Sequence, residues 1–195
     1  MAQLLFYDEG HRYELGGIAL PSVSEIIRFM SREVYGNIEQ WTLDNAASRG
    51  TRVHRATQAL DVYGQVECDE EIAPYVQAYL KFRKEHKPQW DIIEKPMHHE
   101  SLHYAGTIDR AGTLAGQYTL VDIKAQEAVK RPLVGAQLNG YALMLPSTVA
   151  LACLQLRKNG TYKLHSIPMD ATTFMACHTL HTAMQRKRKE STPND

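Results

Sequence analysis

The segment 118–124 most limits what this chain can fold into, because residues 118–123 are nearly continuous in apolar character although Asp122 lies among them and Lys124 follows. Its apolar positions, which include Leu120, Val121 and Ile123, are typical of an interior strand in a sheet covered on both faces. Side chains alternate along a strand, so Asp122 and Lys124 share one face. Charged groups at the end of such a strand cost free energy unless something in the protein compensates for their burial. Asp-x-Lys on its own, however, is more often the solvated face of an antiparallel strand.

The rest of the chain predicts helices, then three strands, then a helix, two strands and a last helix. Gly16-Gly17 is expected to end the N-terminal hairpin, and Ser22–Glu25 fits a capping box. Arg49-Gly50 is expected to separate two helices, the second of which ends at Gly64. This order predicts an α/β (α+β) fold: a mixed central β-sheet flanked by helices, with an N-terminal hairpin and helix extension. The predicted strands are 3–7, 11–15, 90–96, 104–114, 118–124, 148–157 and 162–168; the predicted helices are 23–30, 37–47, 51–63, 70–86, 132–145 and 171–188.

Length and composition favour one domain in a reducing compartment. The 195 residues suit a single domain, 1–195, with an extension at 1–35, a core at about 45–189 and a frayed tail at 190–195. No apolar run approaches the roughly 18 residues of a membrane span, and we expect neither a secretory signal nor, from three separated cysteines, a disulfide scaffold. The formal net charge is zero, so any contact with nucleic acid must be local.

A second aspartate is expected close to the first. If the strands containing Asp109 and Asp122 pair around a turn at Gly112–Gly116, the two carboxylates approach each other and repel. A hard divalent cation such as Mg²⁺ relieves that repulsion. Lys124 adds a point charge that can orient a water or hold a phosphate oxygen. Two carboxylates and a lysine around a metal are typical of phosphodiester hydrolysis.

Two further segments accompany this group. His54 lies near the start of the predicted helix that follows Gly50, and Gln137 and Tyr141 lie four residues apart on one helix face. Each signal is weak by itself. A lone helical histidine is more often structural than a ligand, and a Gln/Tyr pair is more often a polar helix edge.

Taken in order, the four segments resemble the PD-(D/E)xK nuclease superfamily, in its RecB-like branch of phage and prophage exonucleases (exonuclease VIII-like). That branch has the motifs G-x-x-x-H, G-x-x-D, D-x-K and Q-x-x-x-Y in this order. The resemblance covers about residues 45–145 and implies a restriction-endonuclease-like core. The matching segments are Gly50-Thr51-Arg52-Val53-His54, Gly106-Thr107-Ile108-Asp109, Asp122-Ile123-Lys124 and Gln137-Leu138-Asn139-Gly140-Tyr141.

The resemblance implies roles for the matched residues. Lys124 would position or activate the attacking water, and Gln137 and Tyr141 would contact DNA phosphate or brace Lys124. Glu94 matches an acid that these enzymes often carry, although a surface acid paired with Lys95 explains it equally well. The implied metal ligands are His54, Asp109, Asp122 and the Ile123 carbonyl; the candidate phosphate contacts nearby are Arg49, Arg52 and Arg55.

The resemblance further implies a Mg²⁺- or Mn²⁺-dependent deoxyribonuclease, in the cytoplasm of a bacterium or a phage-infected host. An exonuclease of phage recombination type is expected, acting on DNA beside a single-strand annealing protein, in some cases as a homo-oligomer. Ala125 departs from the Thr or Ser that commonly follows the lysine. Three scattered cysteines argue against an iron–sulfur cluster, and no G-x-x-x-x-G-K-[ST] motif indicates ATP binding.

Two rival interpretations stay open. One is a catalytically weak nucleic-acid-binding or assembly module that keeps the fold. The other is a zinc protein, which the spacing of the histidines favours only weakly; the residues concerned are His98, His99, His103, Cys177, His178 and His181. The basic run 185–189 is typical of a solvated helix end, and a grip on phosphate backbone or on a partner is the functional alternative.

Overall fold

A small antiparallel sheet opens the chain in the computed structural model, which describes residues 2–190, with side chains through residue 187. Its strands are β1 (Leu4–Tyr7), β2 (Arg12–Leu15) and β3 (Ile18–Leu20). The predicted hairpin is confirmed, but β3 was not predicted. Gly16 and Gly17 both have positive φ, 57° and 83°. They form the turn of a second hairpin, between β2 and β3, where the sequence predicted the end of the strand pair. The predicted frayed end falls almost entirely on 191–195, outside the described residues.

Four helices follow: α1 (Val23–Ile26), α2 (Arg28–Tyr35), α3 (Gln40–Tyr63) and α4 (Ala73–His86). The capping box at α1 is present, since the Ser22 hydroxyl accepts from the Glu25 amide at 3.0 Å and the Glu25 carboxylate accepts from the Ser22 amide at 2.8 Å. The predicted break at Arg49-Gly50 is wrong. One 24-residue helix runs through Gly50 and ends at Gly64, whose φ of 77° is left-handed.

A five-stranded mixed sheet forms the centre of the remaining chain, as predicted. Its strand order is that of the sequence, and only β6 and β7 run parallel, joined by the crossover helix α5. The α+β class with flanking helices is thereby confirmed. The elements are β4 (Gln89–His99), β5 (Tyr104–Leu114), β6 (Gln117–Ala125), α5 (Arg131–Ala142), β7 (Ala150–Leu156), β8 (Tyr162–Ile167) and α6 (Thr172–Glu190).

Helices cover both faces of this sheet, and β6 lies in its middle. Leu120 packs in an apolar cluster with α1, α5 and α6, whereas Val121 and Ile123 pack in a second cluster with α3 and α4. Each residue from Leu120 to Ile123 is at most 2% exposed, Asp122 included. The prediction of an interior strand is confirmed, and it leaves the Asp122 carboxylate inside the protein.

The turn between β5 and β6 is tighter than predicted. Ala115 and Gly116, with φ of 50° and 80°, form a two-residue turn, which is the geometry that suits the twist of a hairpin. Gly112 lies inside β5 opposite Thr119, where any Cβ would approach the Gln89 carbonyl oxygen to 2.1 Å. Gly112 is therefore needed for close approach of strands and not for the turn.

No helix among residues 2–190 is long and apolar enough to cross a membrane.

Candidate metal centre

The sheet opens where β5 and β6 diverge. Their last paired residues are Arg110 and Val121. Beyond that pair the Asp109 carboxylate takes the place of a strand carbonyl, because its Oδ2 accepts from the Ile123 amide at 2.7 Å. Its other oxygen, Oδ1, lies 3.6 Å from His54 Nδ1. Asp109 thus holds the two strand ends together and still presents one oxygen to a shared cluster.

His54, Glu94 and Asp109 form that cluster, with one ligand atom from each lying within 4.8 Å of the others. His54 Nδ1 lies 3.0 Å from Glu94 Oε1, and its Nε2 lies 3.0 Å from the Ile123 carbonyl oxygen. Both partners are acceptors, so the ring donates from both nitrogens and is an imidazolium in this arrangement. A cation is the group that such a set of acceptors attracts.

Glu94 has an unusual backbone. Its φ is 43°, between the pairs Ile93–Arg110 and Lys95–Ile108 of the β4–β5 ladder. A residue other than glycine in the left-handed region is uncommon and is held there by its surroundings, most often at functional sites. This conformation accompanies the contact of the Glu94 carboxylate with His54, a contact that the alternation of a regular strand does not predict.

The pKa values follow from this crowding. Burial lowers the pKa of His54, but the charges of Asp109 and Glu94 outweigh it and bring the pKa to about 9. Burial raises the pKa of Asp109 to about 7; His54 opposes this shift, and the negative charge of Glu94 adds to it. Protons on His54 and Asp109 therefore balance part of the negative charge when no cation does so.

Asp122 and Lys124 meet on one face of β6, as their spacing predicts. Lys124 Nζ donates to Asp122 Oδ1 at 2.9 Å and to Gln137 Oε1 at 3.0 Å. Gln137 in turn donates to the Tyr141 hydroxyl at 3.0 Å. Desolvation lowers the pKa of Lys124, but the Asp122 and Asp109 carboxylates outweigh it and leave the pKa above its ordinary value. Lys124 is a fixed positive charge held between a carboxylate and an amide.

One oxygen of Asp122 has no partner. Asp122 Oδ2 is buried and accepts no hydrogen bond from the described residues. A buried carboxylate oxygen without a partner costs free energy, and the charge of Asp122 also raises the pKa of Asp109. The donor set of the site, rich in carboxylate oxygen with one imidazole, suits a hard divalent cation such as Mg²⁺ or Mn²⁺. The residues therefore fit the metal that the sequence motifs imply.

Arg110 is a part of the site that the sequence did not single out. It is fully buried, and its Nη1 donates to Glu94 Oε1 at 2.8 Å while its Nε donates to Asp61 Oδ2 at 2.7 Å. Its guanidinium also donates to the Asp109 carbonyl at 2.6 Å. The sequence signal for this role is an arginine in a mainly apolar strand, because an arginine is rarely buried unless acidic groups pair with it. Arg110 connects α3 to the oxygen that Glu94 shares with His54.

The three arginines predicted to contact phosphate differ in their surroundings. Arg52 pairs with Asp69 at 2.6 Å and with Glu71, so its charge is taken up by acids between α3 and α4. Arg49 lies 4.0 Å from Glu71. Arg55 is exposed, next to His54, and forms no ion pair with any residue between 2 and 187. Arg55 alone of the three keeps an unengaged charge.

Two histidines of the zinc interpretation are engaged elsewhere. His99 Nδ1 accepts from the Leu102 amide at 3.2 Å, and His178 Nε2 donates to the Leu102 carbonyl at 2.9 Å. Across residues 2–187, the grouping of three His, Cys, Asp or Glu side chains suited to a metal ion is His54, Glu94 and Asp109. Within the described part of the chain, the group of side chains that could hold a metal ion accordingly lies at the opening between β5 and β6.

Comparisons with known proteins add little to this geometry. No protein-family model and no curated protein matches the chain. Among solved structures, an alkaline exonuclease (LHK-Exo) from Laribacter hongkongensis has 12% identity, covers 72% of this chain and 85% of its own, and has a TM-score of 0.39. The protein SSO0001 has 12% identity, covers 82% of this chain and 84% of its own, and has a TM-score of 0.37. Both TM-scores are too low to assign a function.

Proposed function

We propose that this protein is a metal-dependent nuclease that hydrolyses phosphodiester bonds in DNA. The observation that carries the proposal is the unpartnered oxygen of Asp122, buried beside Lys124 and next to the cluster of His54, Glu94 and Asp109. Acidic side chains with a burial cost of this kind are compensated by a cation. A lysine fixed at the same place can receive the negative charge of a phosphate.

Asp109 and Asp122 would hold the cation, Mg²⁺ or Mn²⁺, with His54, Glu94 or the Ile123 carbonyl completing the set. When bound, the metal polarises the phosphodiester as a Lewis acid. For His54 to act as a ligand, the nitrogen that binds the metal must give up its proton and its hydrogen bond, which Nδ1 makes to Glu94 and Nε2 to the Ile123 carbonyl. The Arg110 guanidinium would keep the shared oxygen of Glu94 in place while this happens.

Lys124 would orient the attacking water or hold a non-bridging phosphate oxygen. Its ammonium has three donors, two of which go to Asp122 and Gln137. The third is left for a water or for substrate. Tyr141 would fix the Gln137 amide and, through it, the position of the ammonium. These fixed donors stabilise developing negative charge without reorganising during the reaction.

The finer form of the proposal comes from the resemblance of the four motifs. It is an exonuclease of phage or prophage recombination type, acting in the cytoplasm beside a single-strand annealing protein, as a homo-oligomer in some assemblies. Arg55, exposed one residue after His54, is the favoured contact to phosphate. Polarity and strand preference depend on how the substrate lies along this face.

The direct test is cleavage of end-labelled single- and double-stranded DNA with Mg²⁺, with Mn²⁺ or with EDTA. We expect cleavage by the wild type with either metal and none with EDTA. Lys124→Met and Asp122→Asn should each lose about 100- to 1,000-fold in rate, the usual effect of removing one stabilising group. Lys163→Met, an exposed lysine on β8, is the matched control and should cut at the wild-type rate.

Two outcomes would overturn the proposal. One is a wild type that cuts nothing with either metal. The other is a Lys124→Met variant that cuts as well as Lys163→Met does. Binding of DNA without cleavage would instead favour the assembly-module interpretation. Product length separates exonuclease from endonuclease action, because an exonuclease releases mononucleotides or short products from one end at early times.

A further inference from the structure

A groove of about 930 Å³ lies between the N-terminal sheet, the turn at 101–103 and helix α6. It is larger than three other surface hollows among the described residues, and its volume is near the upper end of the roughly 300–1,000 Å³ of ligand sites. The side chains that line it include basic and imidazole groups: Arg12, Arg28, Arg186, His11, His103 and His178.

The charge of this groove is positive although the chain has no net charge. Arg12 and Arg186 are exposed and form no ion pair with a residue between 2 and 187; the Arg12 guanidinium lies 5.3 Å from the Tyr7 ring centroid. The lining contains one carboxylate, Glu25, which already accepts from the Ser22 amide at 2.8 Å and from Arg28 at 3.5 Å. Unengaged cations in a groove attract a polyanion.

The groove wall contacts the strand that contains Asp109. Tyr13 lines the groove, and its hydroxyl lies 2.8 Å from Thr107 Oγ1, two residues before Asp109 on β5. Burial raises the pKa of Tyr13 to about 12, and the charges of Asp109 and Glu94 act on it in the same direction. The N-terminal sheet is fixed to β5 by this contact and by the Ala105 amide, which donates to the Pro21 carbonyl at 3.0 Å.

We propose that the groove binds a single-stranded segment of DNA next to the cut site. Arg12 and Arg186 contact its phosphates, and exposed imidazoles, His103 foremost, stack on its bases. Guanidinium groups and aromatic rings along one groove are the combination that recognises unpaired strands, because the bases of a duplex are already stacked on one another. This inference rests on the proposed nuclease function and states where the substrate of that function binds.

The test measures binding and cleavage separately. Fluorescein-labelled (dT)15 is titrated with protein in EDTA, by anisotropy, over a range of NaCl concentrations. For Arg12→Ala/Arg186→Ala we expect at least tenfold weaker binding and a shallower salt dependence, by about 0.7 in log–log slope for each phosphate that the variant no longer neutralises. Lys158→Ala/Lys163→Ala removes two exposed lysines at the β7–β8 hairpin and should bind like the wild type.

Base stacking is tested with an abasic oligonucleotide of the same length. The wild type should bind it at least several-fold more weakly than (dT)15. In His103→Ala this difference should shrink, because the stacking ring is gone. Equal binding of both oligonucleotides by the wild type would contradict stacking in the groove.

Hydrolysis of bis(p-nitrophenyl) phosphate with Mn²⁺ separates this proposal from the proposed function. This small diester needs the metal centre and not the groove, so Arg12→Ala/Arg186→Ala should hydrolyse it at the wild-type rate. Lys124→Met should lose hydrolysis and keep its binding of (dT)15. The groove proposal fails if the wild type does not bind (dT)15, or if the arginine and lysine double variants bind it equally; the nuclease proposal fails if the wild type hydrolyses no diester.

Discussion

Individual residues at the opening of the sheet combine structural and chemical tasks. Asp109 uses Oδ2 to bond the Ile123 amide and keeps Oδ1 for the cluster with His54. Arg110, next in sequence, points the other way and neutralises Asp61 and Glu94 inside the protein. Neighbouring residues on one strand thereby serve opposite needs: one contributes negative charge to the site, and the other limits how much negative charge accumulates there.

At this scale we predict that metal affinity rises with pH. A ligand must lose its proton before it binds a cation. The carboxyl of Asp109, with a pKa of about 7, and the imidazolium of His54, with a pKa of about 9, still hold protons at pH 6. Deprotonation as the pH rises from 6 to 8.5 therefore favours the bound state. Titration calorimetry with Mn²⁺ in buffers of different ionisation enthalpy measures both the affinity and the protons released.

The two groups titrate as a coupled pair, so the calorimetry should show release spread over the whole interval and not one sharp step. Asp109→Asn removes a carboxylate ligand together with one of the two protons, so this variant should bind Mn²⁺ more weakly and release fewer protons. An affinity that stays constant between pH 6 and pH 8.5 would contradict the arrangement of His54 and Asp109 described above.

At the scale of elements, the long helix α3 positions His54 from one face of the sheet. Gly50 lies inside this helix with open space where a Cβ would be. The glycine costs helix stability because it has the largest backbone freedom to lose on folding. It was therefore predicted as an end of the helix, yet burial of Val53, Ala56 and Leu60 against the sheet outweighs this cost.

We predict that Gly50→Ala stabilises the protein by about 0.5–1 kcal/mol, the usual gain from alanine inside a helix. Urea denaturation measures the free energy of unfolding. Gly140→Ala on α5 is the matched comparison and should destabilise, because its Cβ would lie 2.6 Å from the buried ring of Phe174. If the two substitutions changed the free energy of unfolding equally, the space around each glycine would not explain their effects.

Much of the element pattern was predictable because it depends on neighbours in sequence. The apolar run in β6, the cap at Ser22 and the glycine at 64 are local signals, and each is present as expected. The continuity of α3 was not predictable, because it depends on packing against the distant sheet. β3 was missed for a related reason, since a glycine pair is compatible with a turn as well as with a break.

The candidate site was likewise predictable where it depends on neighbours in sequence and not where it depends on distant residues. The meeting of Asp122, Lys124 and Gln137 follows from strand alternation and from one helix that returns over the sheet. The contacts of Arg110 and the left-handed backbone of Glu94 depend on residues far apart in sequence, and no local pattern predicts them. Glu94 was consequently assigned an uncertain role from sequence, although its carboxylate lies within the cluster.

For the molecule as a whole, the site joins elements from both sides of the sheet. His54 comes from α3 on one face, and Gln137 and Tyr141 come from α5 on the other. All of them meet at the end of the central strand β6. A cation bound there would hold together parts of the chain that unfolding separates, and a ligand that binds only the folded state stabilises it by mass action.

We therefore predict that Mn²⁺ at about 100 times its Kd stabilises the folded state by about 2.7 kcal/mol. For a chain of this length that raises the Tm by roughly 5–11 °C, at about 2–4 °C per kcal/mol. Differential scanning fluorimetry gives the shift. NaCl of matched ionic strength is the control for screening, and Asp122→Asn should lose most of the effect. A Tm that does not change with Mn²⁺ would count against a metal site in this protein.

The two-residue turn at Ala115-Gly116 has a consequence for how this protein tolerates insertions. Five residue pairs separate the turn from the divergence of the strands, so the turn sets which residue of β6 Asp109 reaches. Because strand side chains alternate, an insertion that shifts this register by one residue would turn Asp122 and Lys124 towards the face of α3. Such a chain would bring Asp122 and Lys124 into the apolar cluster beneath α3 and α4, and its acidic groups would no longer meet. The length of this turn, although it lies away from the site, is thus as strictly constrained as the identity of any residue in the site.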